Sequence, residues 1–371
     1  IILIMQVPFF PYNNAFTKYQ DAFQGALKDI IESGQYIFGD HLVEFENSIA
    51  EYTKSKYCLG IANATDGLEM MMQYMNLKEN DEVILSSHTM VATLSAIVHS
   101  RAKPVPVDIQ LDGTISLDSI KKNINLNTKA LIVTQLNGHT CKMNDIQNLC
   151  DENNIQLFED SAQALGSKYR NQSAGTFGIA GCLSFYPAKI LGGPGDGGAL
   201  LTSNEDFYQW SRSFRDHGRS SSGIEYIGRN SRLDNLMAAF LNIQLRDFEA
   251  FILRRKSIAK IYNENLSDIK ELNLPLLYED CNIHYETFQN YEILCEDRDE
   301  LKNFLSNNNI GSLIQWGGVS TNNIKNYGNN SKCNFEMTRK YFNECLMLPM
   351  NTLILDKEIY FIIEKIKEFY K

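Results

Sequence analysis

"KALIVTQL" (129–136), "MNDIQNLCDENN" (143–154) and "IQLFED" (155–160) form a short apolar run, an amphipathic stretch and a second short apolar run. This order reads as strand, helix, strand, the unit by which two parallel strands are joined. Working outward, the unit repeats. "YCLGIAN" (57–63), "DEVILSS" (81–87) and "KPVPVDI" (103–109) read as strands; "TDGLEMMMQYM" (65–75), "MVATLSAIVHS" (90–100) and "SLDSIKKNI" (116–124) read as helices. Strands interleaved with helices predict a doubly wound α/β sheet covered on both faces.

Beyond residue 160 the pattern changes. "IAGCLSFY" (179–186) and "GGALLTS" (197–203) read as two successive strands flanking a loop that carries one lysine, Lys189. Leu233, Leu236, Met237, Phe240 and Ile243 follow helical spacing, and the periodicity runs to about Tyr262. A long helix there predicts a joint between two domains. "FQNYEILCED" (288–297), "DELKNFLSNNN" (299–309) and "KEIYFIIEKIKEFY" (357–370) read as a small α/β domain, with "NYGNNSKCN" (326–334) as a polar loop. The expected division is a large domain over 1–245 and a small C-terminal one over 246–371.

The 371 residues carry a net charge of −10, which argues against a nucleic-acid partner, since that needs a basic face. The eight cysteines include no C-x-x-C pair, so neither a zinc ribbon nor a redox dithiol is signalled, and no metal is expected. Reduced cysteines suit a cytoplasmic protein. The opening "IILIMQVPFF" is apolar but lacks a basic n-region and is cut short by Pro8, so it reads as neither a signal peptide nor a membrane span.

The chemistry centres on "SFYPAKILGGPGDGG" (184–198). Gly193, Gly195 and Gly198 satisfy G-x-G-x-x-G, but the next residues are strand-like, so the dinucleotide fingerprint lacks its helix. A sheltered lysine is a different matter. Burial disfavours the ammonium, leaving a nucleophilic amine that condenses with aldehydes, of which pyridoxal phosphate is the commonest cofactor. That cofactor needs a buried carboxylate at its ring nitrogen and backbone amides at a helix N-terminus for its phosphate. Asp160 ends a predicted strand, 29 positions before Lys189. Thr65 and Asp66 in "ANATDG" (62–67) head a predicted helix, and Ser184 adds a hydroxyl. Singly, Asp160 also reads as a turn carboxylate and Thr65 as an ordinary N-cap. Together and in this order they favour a cofactor site.

Several further motifs stand in the same order: "SGQYIFGDHLVEFENSIAEY" (33–52), "FEDSAQALGSKYRNQSAGTFGIAGCLSFYPAKILGGPGDGGALLTSN" (158–204), "RDHGR" (215–219), "GRNSRLDNLMAA" (228–239) and "CLMLPMN" (345–351). With "ANATDGLEM" they make the chain resemble the DegT/StrS-type aminotransferases, fold-type I pyridoxal-phosphate enzymes that aminate keto sugars carried on nucleotides. The resemblance implies an aspartate-aminotransferase-like fold, with a large, mostly parallel, seven-stranded type of sheet. It implies that Lys189 holds the cofactor covalently, that Asp160 pairs with the ring nitrogen and that Gln163 lies near the 3′ oxygen. Ser184 and the Thr65 and Asp66 amides would bind phosphate. Asn230 would reach the phosphate of a neighbouring subunit, which makes the active unit a homodimer. Relatives that dehydrate rather than transaminate carry histidine where Lys189 stands. The implied amino donor is an amino acid, usually L-glutamate, and the implied pathway makes deoxyamino sugars or surface polysaccharide.

Two departures remain open. Met90 stands in "SSHTMVAT" where the family usually packs an aromatic on the ring; its sulfur can serve that role, or it is plain core. His88, two residues earlier, reads as a hydrogen-bonded structural histidine. "IQWGGVS" (314–320) replaces an "HYP" stretch, so Trp316 and Gly317 either shape a sugar or nucleotide pocket or pack between domains. His139 either faces the substrate or is structural. The rival functions are a transaminase for a small phosphorylated or cyclitol ketone, and a non-catalytic regulatory homologue.

Overall fold

A computed structural model describes residues 5–278, 283–325, 327 and 330–371. Cys281, the first four residues and part of the 326–334 loop lie outside these. Seven strands build the main sheet: β1 (Tyr57–Ile61), β2 (Glu82–Ser86), β3 (Lys103–Val107), β4 (Thr128–Thr134), β5 (Gln156–Asp160), β6 (Ala180–Ser184) and β7 (Gly198–Thr202). They lie in the order β1-β7-β6-β5-β4-β2-β3. All are parallel except β7, which runs antiparallel to both its neighbours, β1 and β6.

The apolar runs explain why the strands are central. In β4, Ala130 and Ile132 enter one hydrophobic cluster, while Leu131 and Val133 enter another on the opposite face. Alternate side chains of a strand point to opposite faces, so a continuous apolar run is what a sheet covered on both sides demands. The helices α3 (Ala64–Tyr74) and α4 (Val91–His99) cover one face, and α5 (Leu117–Asn123) and α6 (Met143–Asn153) cover the other. Upstream of them, α1 (Gln20–Ser33) and α2 (Asp40–Thr53) pack on α8 (Asn235–Leu245), and α7 (Glu205–Phe214) follows β7.

The long helix expected after residue 230 is broken in two. α8 stops at Leu245 and α9 (Phe248–Leu266) begins three residues later. The Asp247 amide bonds back to Gln244 in a tight turn, and its carboxylate accepts bonds from Lys18 at 2.5 Å and Tyr19 at 2.7 Å. A local apolar period cannot register such distant donors. The periodic residues Leu236, Phe240 and Ile243 are half-buried; α1 and α2 pack on the helix, and Phe240 stacks on Phe23.

α9 threads two clusters. Phe248 and Ile252 pack with Leu42, Phe45 and Phe185, whereas Ile258, Tyr262 and Leu266 pack in a second cluster. There they meet a small antiparallel sheet of β8 (Leu272–Asn273), β9 (Tyr291–Cys295) and β10 (Cys345–Leu348) in the order β8-β9-β10, with α10 (Arg298–Asn307) and α12 (Asp356–Phe369). Val7 joins this second cluster, and the bridge Val7↔Ile310 ties the chain's start to it. α11 (Glu336–Glu344) leads into β10.

Arg255 of α9 is buried, and its guanidinium donates to the carbonyls of Phe288 (3.1 Å), Gln289 (2.9 Å) and Met350 (2.9 Å). Burial holds its pKa down to about 10. Arg255→Leu leaves three buried carbonyls without a donor, and urea unfolding should show a loss of about 3 kcal/mol. A loss no larger than that of a neutral surface substitution would contradict this role.

Candidate active site

Asp160 ends β5 at the carboxyl edge of the parallel strands, where open α/β sheets bind ligands. It is 4 % exposed. Oδ2 accepts from Thr93 Oγ1 at 2.8 Å and Oδ1 from the Ala162 amide at 3.2 Å. Thr93 is oriented by a hydroxyl chain. Thr134 donates to Thr89 at 2.7 Å, Thr89 to Thr93 at 2.9 Å, and Thr93 is thereby left to donate to the carboxylate. Burial pushes the Asp160 pKa up, opposed by the Thr93 bond, the Ala162 amide and the charge of Lys189.

Lys189 is half-buried in the loop between β6 and β7. Burial lowers its pKa to about 8, against the attraction of Asp160 and of Cys182. The loop is held from a distance. Gln289 Oε1 accepts from the Ile190 amide at 3.0 Å, and Gln289 Nε2 donates to the Ala188 carbonyl at 3.0 Å, so one side chain grips the backbone on both sides of Lys189. Arg255 in turn holds the Gln289 carbonyl.

The helix at the expected phosphate turn, α3, is capped by Asn63, whose side chain accepts from the Asp66 amide at 2.9 Å. The cap alternative for Thr65 is thereby set aside, and the Asp66 amide bonds to the Asn63 side chain. The Asp66 carboxylate is paired with Arg229 at 2.9 Å, and Arg229 also pairs with Glu69. The Thr65 amide remains among the first-turn donors a helix cannot satisfy internally. A Cβ on Gly198 would stand 2.6 Å from the carbonyl carbon of Asn63, so the turn lies against β7 only because residue 198 is glycine. Ser184 is half-buried at the end of β6, and its Oγ accepts weakly from the Tyr186 amide at 3.4 Å.

Met90 caps α4, accepts from the Ala92 amide through its sulfur at 3.0 Å and is 44 % exposed. The core alternative is therefore overturned: Met90 lies one helical turn before Thr93 with its side chain open to solvent. His88 is fully buried; Nδ1 lies 3.2 Å from the Gly113 carbonyl, and burial lowers its pKa to about 4. It is the structural histidine the sequence indicates. Trp316 packs edge-on against it at 5.0 Å, with φ 47, and Gly317 follows at φ 67. His139 lies 2.7 Å from Glu286, stacks on His284 and lines a cavity of about 400 Å³ with Asn137, Glu292 and Tyr341. Gln163 accepts from the Asn137 amide at 2.9 Å and contacts Gln315. Asn230 is exposed and bridges to Asp216 through the backbone.

Thr93, Asn137, Gln289 and Glu292 are the contributors that sequence reasoning passes over. Thr93 closes the quoted "SSHTMVAT" without being its distinctive residue, the other three sit in no motif with chemistry of its own, and each acts on a residue at least 26 positions away. The depressed basicity of Lys189 has a direct consequence. In the protein dialysed free of small molecules, labelling of Lys189 by a small aldehyde and borohydride should rise with a midpoint near pH 8. Exposed lysines should respond only towards pH ~10. Peptide mapping reads this, and a Lys189 profile matching the surface lysines would refute it.

Residues 18–367 match the DegT/DnrJ/EryC1/StrS aminotransferase family. The chain is 31% identical, over 98% of its length and 99% of the relative's, to a dTDP-3-amino-3,6-dideoxy-alpha-D-galactopyranose transaminase of Aneurinibacillus thermoaerophilus. It is 28% identical, over 99% of both, to a pleiotropic regulatory protein of Geobacillus stearothermophilus. The crystal structure of S. venezuelae DesV in complex with a ketimine intermediate superposes with TM-score 0.93 at 28% identity, over 99% of both chains. The donor set fits pyridoxal phosphate: an amine of lowered basicity for its aldehyde, a buried carboxylate for its ring nitrogen, and a helix-start amide beside a hydroxyl for its phosphate. The chain is a pyridoxal-phosphate-dependent aminotransferase and belongs to the DegT/DnrJ/EryC1/StrS family.

Proposed function

We propose that this aminotransferase moves an amino group from L-glutamate to a ketone of a sugar carried on a nucleotide, in the biosynthesis of deoxyamino sugars for surface polysaccharide. The observation that carries the reading is the opposition of Lys189 and Asp160, two groups of opposite charge sheltered at the carboxyl edge of the sheet. The A. thermoaerophilus relative, named for a dTDP-sugar, supports the substrate class.

Bound pyridoxal phosphate supplies a conjugated electron sink for the carbon that loses its proton. The chain's residues do the rest. Asp160 keeps a proton on the ring nitrogen, and the Thr134–Thr89–Thr93 hydroxyls keep Asp160 oriented. The Thr65 amide and the Ser184 hydroxyl hold the phosphate. Met90 covers one ring face. Lys189 Nζ holds the cofactor and then carries the proton during transfer; a pKa of about 8 lets it both give and take near neutral pH. His139, Trp316 and Gly317 border the sugar side.

We further propose a homodimer in which Asn230 completes the phosphate site of the neighbouring subunit. The chain exposes Ile31, Ile37, Phe38, Ile224 and Ile227, with Ile227 at 91%, a set of apolar side chains that a second copy would cover. No helix among the described residues is long and apolar enough to cross a membrane, and the described cysteines are free, which suits the cytoplasm.

Two experiments test this. The amine form of the holoenzyme, given a panel of nucleotide-linked keto sugars, small phosphorylated ketones and cyclitol ketones, should return to its aldehyde-form absorption only with the first class. Return with another class selects the rival substrate, and return with none selects the regulatory homologue. Asp160→Asn should fold normally yet lose at least tenfold in turnover, about 1.4 kcal/mol or more in barrier. A variant keeping most of the wild-type rate would remove Asp160 from its role. For the dimer, Asn230→Ala should weaken cofactor retention without changing the thermal midpoint, and sedimentation should give twice the chain mass; an active monomer would sink that proposal.

A further inference from the structure

Residues 313–321 form a strap between the two sheets, pinned at both ends. At one end Leu313 pairs with Met347 of β10, its amide donating at 3.2 Å and its carbonyl accepting at 2.8 Å. At the other end the Thr321 amide donates to the Ser87 carbonyl at 3.0 Å, and the Thr321 hydroxyl lies 3.1 and 3.3 Å from the carbonyls of Ser86 and Ser87. Ser86 ends β2, so the strap crosses from the small sheet to the carboxyl edge of the large one. Between the pins, Trp316, Gly317 and Gly318 stand in succession at φ 47, 67 and 77. Glycine adopts that left-handed region freely, whereas a bulky side chain there is an outlier that persists only where its surroundings hold it.

The surroundings of Trp316 do so. Gln315 before it is buried, with its amide 3.4 Å from that of Gln163 and 3.2 Å from that of Asn137. The indole of Trp316 rests edge-on against His88, ring centres 5.0 Å apart. His88 is fully buried and backed by the rings of Tyr341 at 4.7 Å and Phe342 at 5.0 Å, so the space beneath the indole is filled. Trp316 itself is only half-buried, which leaves part of it open to a ligand. The strap thus fixes a flat, largely apolar surface at the edge where the parallel strands end and where open α/β sheets take their ligands.

We propose, resting on the reading of the substrate as a nucleotide-linked keto sugar, that Trp316 is a specificity-determining residue whose indole stacks on the C–H face of the reacting sugar ring. Position selects the sugar over the base. Trp316 is one Cα step, about 3.8 Å, from Gln315, whose side chain touches Gln163 beside the cofactor. The sugar is the part of the substrate that must reach the cofactor; the base stands two phosphates and a ribose away. The chemistry agrees. A hexose carries C–H bonds on its ring faces, and stacking them on an indole removes apolar surface of both from water while adding dispersion contacts. An amino-acid donor has no such face. Trp316 therefore acts in the half-reaction that aminates the sugar and not in the half-reaction that takes nitrogen from the donor.

The test uses the holoenzyme and follows the cofactor's visible absorption in each half-reaction separately. In Trp316→Ala, the amine form should need about tenfold more of the keto sugar that the wild type accepts to half-saturate its return to the aldehyde form. Trp316→Leu, which keeps bulk without a ring, should show the same defect, and Trp316→Phe should recover to within about threefold of the wild type. In all three, conversion of the aldehyde form by L-glutamate and inhibition by the parent nucleoside diphosphate should stay at wild-type values. Equal damage to both half-reactions would make Trp316 a structural residue, and weaker inhibition by the nucleoside diphosphate would make the base its partner. Either result overturns the proposal, as does an unchanged sugar half-reaction in Trp316→Ala. A wild type that returns to the aldehyde form with no nucleotide-linked sugar removes the substrate reading itself, and the stacking role with it.

Discussion

The structure depends on keeping a carboxylate out of water at the end of a central strand. Burying Asp160 disfavours its charge, and burying part of Lys189 disfavours the opposite one; each is the compensation for the other. This arrangement is stable only while the two stay in place. The surrounding polar groups accordingly act on position. Three threonine hydroxyls point one way along a donor chain that ends at Asp160, and the backbone around Lys189 is gripped on both sides by one glutamine amide.

That grip joins the two hydrophobic clusters mechanically. Gln289 precedes β9 of the small sheet, yet its amide holds the loop after β6 of the large one. Arg255, from the helix that threads both clusters, fixes the Gln289 carbonyl. The position of Lys189 is thus determined by residues 66 to 101 positions away in sequence. Packing at the far end of the molecule and chemistry at the sheet edge are linked through these few bonds.

The same logic places the second polar cluster. Gln163 stands two residues after the strand-end pair of Asp160 and Ser161 and is met from outside by Asn137, Gln315 and, through them, Glu292. A buried network of amides and one carboxyl is costly unless every donor finds an acceptor. The departure "IQWGGVS" is part of this network: Gln315 joins it, and Trp316 locks against His88.

The sequence by itself determined the alternation of strands and helices, because apolar runs buried on two faces and amphipathic helices leave local periodic marks. It also singled out Lys189 and Asp160 as candidates, because a lysine in a glycine-rich loop and a carboxylate at a strand end are legible without coordinates, whereas Gln163 entered only through the resemblance. Tertiary structure decided everything that depends on a distant partner. It broke the long helix at Asp247, where Lys18 and Tyr19 supply the bonds. It gave the α3 cap to Asn63 rather than Thr65, and it left Met90 exposed rather than in the core. It brought in Gln289 and Glu292, whose sequence neighbourhoods carry no signal, and it set Thr93 of "SSHTMVAT" against Asp160. The reason is physical: periodicity and propensity are properties of neighbouring residues, whereas the satisfaction of a buried donor, acceptor or charge is a property of whatever the fold brings within about 3 Å.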